Sequence, residues 1–182
     1  MRLLLLLALI CAPVLAAAQD FGALRQPGAI AVMRHALAPG TGDPADFDVT
    51  DCATQRNLDA RGRAQARRIG AALRDAGIAF THVWSSQWCR CVETAELLSL
   101  GPVTEQPAFN SFFRNRARAE GQTRATLEAL RALPEGARPM LVTHQVNITA
   151  LTGVFPASGE IVVIRLDETG GVAVLDRIEI AP

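Results

Sequence analysis

Gly28-Ala-Ile-Ala-Val-Met-Arg34-His35 is an apolar run that ends abruptly in an arginine and a histidine. A short stretch rich in Ile and Val, opened by a Pro-Gly turn, predicts a strand buried on both faces. The two polar residues arrive where that strand leaves its sheet, and a loop rich in Pro and Gly, Ala36 to Pro44, follows. In open α/β sheets ligands collect outside the carboxyl ends of the strands. A cation beside an imidazole at that edge fits an anion site holding a nucleophile or a base. It fits an ordinary surface Arg and His equally well, so the rest of the chain has to decide.

Met1-Arg2, the apolar run Leu3 to Ile10 and Ala16-Ala17-Ala18 before Gln19 have the layout of a secretory signal peptide, cleaved before Gln19. Its apolar core is too short for a membrane span. The expectation is a signal segment at 1–18, a single domain at 19–182, and a periplasmic or secreted protein with no stable membrane insertion. Without Arg2 the chain carries 17 basic and 18 acidic residues, a balance with no footprint for nucleic acid. Every basic residue is an arginine, so each cation offered to a ligand is a planar guanidinium. No C-x-x-C or H-E-x-x-H pair is present, and neither a metal nor another cofactor is expected. Of the cysteines beyond the signal, a bridge from Cys52 to Cys89 or Cys91 is expected in an oxidising compartment, leaving one buried thiol.

Outward from the opening strand, Leu58 to Asp75 has apolar positions near helical spacing and stops at Gly77. Ile78 to Ser85 predicts a second buried strand. Ser85 or Ser86 then stands as a cap before a helix over Cys91 to Leu100, with Arg90 in the first turn. Arginine there opposes the helix dipole and needs a counter-charge, which Glu93 or Glu96 could supply. Gly101 to Pro107 is a connector or short strand, and a helix runs from Glu120 or Gln122 to Leu133. Met140 to Thr143 predicts a third buried strand, ending at His144. Ile148 to Leu151 is a short helix closed by Gly153, and strands at Glu160–Leu166 and Val172–Leu175 are joined by a hairpin turn at Glu168–Gly171. Strands alternating with helices predict a three-layer α/β/α sandwich with a mainly parallel central sheet.

In such a sheet the carboxyl ends share one edge, so Arg34-His35, Arg90 and His144 converge on one pocket. Two guanidiniums and two imidazoles form a positive, donor-lined cup that suits a tetrahedral phosphoryl group. A neutral imidazole there can attack phosphorus, while the other histidine, protonated, steadies the equatorial oxygens. No metal is needed for that chemistry.

With those residues in view, the chain resembles the histidine phosphatase superfamily, which includes the phosphoglycerate mutases. The resemblance rests on Arg34-His35, on Ser85-Ser86-x-x-x-Arg90-x-x-x-Thr94-Ala95 and on Thr143-His144, in that order across nearly the whole mature chain. It implies a phosphoglycerate mutase-like fold and a metal-independent phosphatase with His35 as nucleophile, Arg34 and Arg90 on the phosphate, and His144 as second pocket histidine. Arg34-His-Ala-Leu-Ala-Pro-Gly40 and Thr54-Gln-Arg-Asn-Leu58 resemble an exported bacterial branch containing lipopolysaccharide core heptose phosphatases. That closer likeness places Arg56 near the pocket and implies a small phosphorylated substrate, a phosphosugar or envelope glycan phosphate. The alternative is a non-catalytic phosphoryl-binding module using the same cup.

Two positions depart from the family pattern. Ala36 replaces the glycine of Arg-His-Gly, a change of little bulk. The acid is harder to place: Asn110 to Phe113, ahead of Glu120-Gly121, contains no glutamate, and Gln145 stands where the acid-phosphatase branch has aspartate. Asp43, Asp48, Asp51, Glu93 and Glu120 are the candidates, with Asp43 favoured because its loop follows the nucleophile.

Overall fold

A computed structural model describes residues 20–180; the expected signal segment lies outside them. Six strands form one sheet in the order β3-β2-β4-β1-β5-β6. They are β1 Ile30–Arg34, β2 His82–Ser85, β3 Val103–Glu105, β4 Pro139–Thr143, β5 Ile161–Leu166 and β6 Val172–Ile178. The first four run parallel and the β5–β6 hairpin adds antiparallel to β1, so the sheet is mainly parallel, as expected, with an antiparallel edge.

The helices are α1 Ala60–Asp75, α2 Cys89–Leu98, α3 Ala119–Arg131 and α4 Gln145–Thr152. Successive strand residues point to opposite faces, and the core divides accordingly. Ala31 and Met33 pack with Ile69 and Leu73 of α1 and with Cys91, Ala95 and Leu98 of α2. Ile30 and Val32 pack on the other side with Leu130 of α3 and Ile148 of α4. The three layers are those expected. Each fully buried aliphatic side chain contributes roughly 1.5–3 kcal/mol, so β1 is a core strand before it is anything else.

Several boundaries differ from the sequence reading: α1 begins at Ala60 rather than Leu58, α3 ends at Arg131 rather than Leu133, and α4 spans Gln145–Thr152 rather than Ile148–Leu151. The strand expected from Ile78 begins only at His82, because the Ile78 N–H is spent on the Leu73 carbonyl (2.9 Å) at the end of α1. The helix expected from Cys91 begins at Cys89 with Trp88 as its N-cap, and neither Ser85 nor Ser86 caps it. Ser85 Oγ donates to the Ser86 carbonyl (2.8 Å), and Ser86 Oγ lies 2.8 Å from His144.

The predicted bridge forms between Cys52 and Cys89, leaving Cys91 as the buried thiol. Helix α1 lies against the segment after His35 at Gly62, where a Cβ would stand 1.9 Å from the Leu37 carbonyl oxygen. Only glycine permits that approach.

Candidate active site

The ends of β1, β2 and β4 meet at one edge of the sheet, as the parallel register requires. There they open into a cleft of about 380 Å³ lined by Arg34, His35, Asp43, Arg56, Arg90 and His144, with Phe113, Arg116 and Phe155 also on its walls. The two histidines, the three arginines and Asp43 proposed from sequence are therefore in one place, whereas the other acid candidates, Asp48, Asp51, Glu93 and Glu120, do not line the cleft.

His35 is fixed from several directions. Its backbone N–H donates to the Thr143 carbonyl on β4 (2.9 Å), which ties the strand ends bearing the two histidines. The next two amides donate to Thr94 Oγ1 (3.1 Å) and Gln65 Oε1 (2.9 Å), from α2 and α1. Thr94 of the sequence motif thus acts as a brace. The His35 ring places Nδ1 2.8 Å from the Ala36 carbonyl, an acceptor only, so Nδ1 carries the proton and Nε2 the lone pair. Burial, reinforced by the charge of Arg90, holds the imidazole well below its ordinary range. His35 is therefore neutral at pH 7 with an unprotonated Nε2, whose lone pair accepts a long hydrogen bond from Arg90 Nε (3.2 Å), and the neutral imidazole is the form a nucleophile needs.

Arg34 Nη1 donates to the Pro156 carbonyl (2.9 Å), while its Nε is buried without a partner. A buried, unpaired guanidinium N–H is costly, and an oxyanion in the cleft is the group that would satisfy it. Arg56 Nε donates to the Gly42 carbonyl (2.8 Å) and its Nη1 to the Ala38 carbonyl, which brings it to the cleft wall as the family resemblance implied.

The two histidine rings stand 5.6 Å apart, edge to face. His144 does not match its expected protonation: burial first, then Arg90 and His35, holds it well below the imidazole range, so it is neutral. A phosphoryl dianion beside it would push in the opposite direction.

Asp43 corrects a second expectation. It reaches the cleft, but as a paired carboxylate rather than a ready acid. Arg90 grips both its oxygens (2.6 and 3.2 Å), Trp88 Nε1 donates at 3.1 Å and the Arg56 amide at 3.2 Å. Burial pushes the carboxyl up, yet the hydrogen bonds and charge of Arg90 outweigh it and the net shift is downward. Asp43, not Glu93 or Glu96, is the counter-charge to Arg90; Glu93 pairs with Arg63 instead. Asp48 holds the Thr50 amide and hydroxyl, Asp51 caps the 3-10 turn Cys52–Thr54, and Glu120 pairs with Arg124 in solvent. Among the described residues Asp43 is the one carboxylate lining the cleft, against the four guanidiniums of Arg34, Arg56, Arg90 and Arg116.

Several members of the site carry no distinct sequence signal. Asn110 accepts from the Gln87 amide (2.9 Å) and from Ser86 Oγ (3.3 Å), and Gln55 accepts from the Cys89 amide (3.0 Å). Trp88 stacks on Phe47 and meets the His144 ring edge-on. Phe113 and Phe155 stand exposed on the cleft walls.

The model of the histidine phosphatase superfamily (branch 1) matches residues 30–127, and the chain belongs to that family. The class of protein is thereby a phosphatase. No curated protein sequence matches the chain. Among solved structures, the fold is similar to the protein histidine phosphatase SixA complexed with tungstate (17% identity, 83% of this chain and 96% of that one, TM-score 0.57). It is also similar to a putative phosphohistidine phosphatase SixA from Agrobacterium tumefaciens (20%, 86% and 100%, TM-score 0.58). A third is phosphoserine phosphatase from Entamoeba histolytica in complex with 3-phosphoglyceric acid (12%, 84% and 97%, TM-score 0.60).

Proposed function

We propose that the protein is an exported phosphatase that hydrolyses a small phosphorylated substrate through a phosphohistidine on His35. The observation that carries this reading is the unprotonated Nε2 of a neutral His35, held by a 3.2 Å contact from Arg90 Nε, on a cleft walled by Arg34, Arg56 and Arg90. The guanidiniums hold the phosphoryl oxygens, and the unpaired Nε–H of Arg34 is one donor ready for them. His35 Nε2 forms a bond to phosphorus as the P–O bond to the leaving group breaks. Water then attacks phosphorus, breaks the P–N bond and releases inorganic phosphate, returning the lone pair to His35. Arginine supplies the charge stabilisation on which phosphoryl transfer depends.

Because Asp43 is held as an anion, the leaving groups that fit best depart without a proton: aryl oxides, carboxylates from acyl phosphates and phosphates from anhydrides. Help from a general acid is typically worth about 10²–10⁴-fold, and simple alkyl esters would lack it. A phosphosugar or envelope glycan phosphate enters this scheme through an anhydride such as a glycosyl diphosphate, whose leaving group is itself a phosphate. The signal-like residues 1–18 and the Cys52–Cys89 bridge support export to the periplasm or beyond.

Rapid-quench labelling tests the mechanism. The expected result is an acid-labile, alkali-stable phosphoenzyme, formed in EDTA and lost in His35→Ala. A protein that binds vanadate yet never labels or turns over is instead a phosphoryl-binding module. A mature chain from the cell envelope whose mass begins at Gln19 tests the export.

A further inference from the structure

Phe155 is 70% exposed and Phe113 42% exposed, and both lie on the walls of the cleft that holds His35. A single exposed Phe needs no explanation. Here, however, they are two of the three exposed large hydrophobics among the described residues, the third being Val174 on β6.

Both aromatics hang from fastened segments. The carbonyl after Phe155, that of Pro156, accepts from Arg34 Nη1. The next carbonyl but one, that of Ser158, accepts from Gln65 Nε2 at 2.8 Å, and the Gly159 amide donates to the Arg34 and His35 carbonyls. Phe113 follows the buried Phe112, and its ring edge would lie 3.9 Å from a Cβ on Gly42, next to Asp43. Phe155 is thus tied to the phosphate clamp through the Pro156 carbonyl, and the Phe113 ring lies beside the Gly42–Asp43 stretch. Arg116 completes the rim: its guanidinium carbon sits 5.1 Å from the Phe113 ring centroid, a cation–π arrangement that holds the charge at the cleft wall.

We infer that Phe113, Phe155 and Arg116 form a leaving-group subsite for a phosphomonoester whose leaving group presents a flat ring face and carries a second anionic group. The inference rests on the phosphohistidine reading above and specifies the substrate class of that cleft. The base of the cleft holds the transferred phosphoryl group, so what reaches the rim is the group that departs. A ring face recovers apolar area that water now covers at the two phenylalanines. An anionic substituent on that ring meets Arg116, the outermost of the four cleft guanidiniums. For an aryl phosphate the chemistry balances without an acid: His35 Nε2 bonds to phosphorus, the aryl oxide leaves with the P–O electron pair, and water later hydrolyses the P–N bond.

Three probes test the subsite on the mature protein. Acetyl phosphate is activated but has no ring, phenyl phosphate has the ring, and 4-carboxyphenyl phosphate has ring and anion. The expected result is that Phe155→Ala and Phe113→Ala each lower the kcat/KM ratio of phenyl phosphate to acetyl phosphate by about tenfold, chiefly through KM. Arg116→Gln should lower the ratio of 4-carboxyphenyl to phenyl phosphate by roughly fivefold, with that preference shrinking in high salt. The substituted side chains are exposed, so each variant should fold; an unchanged melting temperature checks it. Ratios that stay put while wild type turns over all three probes overturn the subsite alone. A wild type that neither labels His35 from acetyl phosphate nor hydrolyses any probe overturns the phosphohistidine reading, and the subsite with it.

Discussion

Arg90 donates its Nε–H toward Nε2 of His35 across 3.2 Å while its two terminal nitrogens hold the Asp43 carboxylate. One guanidinium therefore links the nucleophile to the only carboxylate lining the cleft among the described residues. Its fork is already filled, so an incoming phosphoryl oxyanion competes with Asp43 for the same donors. The pair is an internal rehearsal of the charge contact that substrate makes.

Asp43→Asn separates the possible roles of that carboxylate. Without the anion, Arg90 keeps an uncompensated charge, so inorganic phosphate should inhibit several-fold more tightly. Turnover of aryl phosphates should remain within about tenfold of wild type, since general acid help is worth 10²–10⁴-fold where it operates. Stability should fall by about 3 kcal/mol in urea titrations, the low end for breaking a buried pair because the cleft admits water. A loss of a hundredfold or more confined to poor leaving groups would instead identify Asp43 as the proton donor.

The pH dependence follows from the two histidines. Burial, strengthened by Arg90, holds both His35 and His144 well below 6.5 when folded. The neutral nucleophile therefore persists on acidification, and the acid limb of kcat/KM should lie below pH 6.5. For stability, the unfolded chain takes up protons through 6.5 while the folded imidazoles do not. The fold is thus at full strength above 6.5 and weakens as pH falls below it, by up to about 1.4 kcal/mol per pH unit for each histidine. Asp43 adds a second loss lower down, as pH falls through its depressed carboxyl value. Urea midpoints at pH 7.5, 6.0 and 5.0 should show the decline, and His144→Gln should flatten it. A midpoint that rises between pH 7.5 and 5.0 would contradict the burial argument.

What was legible in the sequence depended on range. The run from Ala29 to Met33 and that from Met140 to Thr143 declare themselves as buried strands, and parallel pairing then brings Arg34, His35 and His144 to one edge. Arg90 follows because β2 lies next to β4. Arg56 came from family likeness alone. The Asp43–Arg90 pair was hidden, since it spans 47 residues and depends on how the loop folds back through Gly40 and Gly42, both at positive φ. Ser86 shows the converse failure. Local chemistry makes a serine before a helix a cap, but tertiary packing gave its hydroxyl to His144.

Gly62 should tolerate no side chain at all. A methyl group there would meet the Leu37 carbonyl oxygen at 1.9 Å, a backbone atom that cannot swing aside. Gly62→Ala must push α1 away from the segment that follows His35, at a cost of about 1–3 kcal/mol. The melting temperature should drop by several degrees, with kcat falling more than KM rises because the nucleophile is displaced. A variant with wild-type melting and turnover would show that the helix and the loop are not in contact in solution.

The Cys52–Cys89 bridge should control affinity as well as stability. It closes a 37-residue separation and so removes loop entropy worth about 3–4 kcal/mol from the unfolded chain. It also fastens the segment carrying Gln55 and Arg56 to the residue before Arg90, beside the Gln55–Cys89 hydrogen bond. Reduction should therefore lower the melting temperature and raise KM for every phosphate ester, leaving His35 neutral and kcat less affected. Cys52→Ser with Cys89→Ser should reproduce both effects and then be indifferent to reductant. Cys91 is a suitable silent control: it is buried, and burial pushes its thiol up to about 12, so thiol reagents should find it only after denaturation. If reductant shifts the double variant as far as the wild type, the bridge is not what holds Arg56 and Arg90 together.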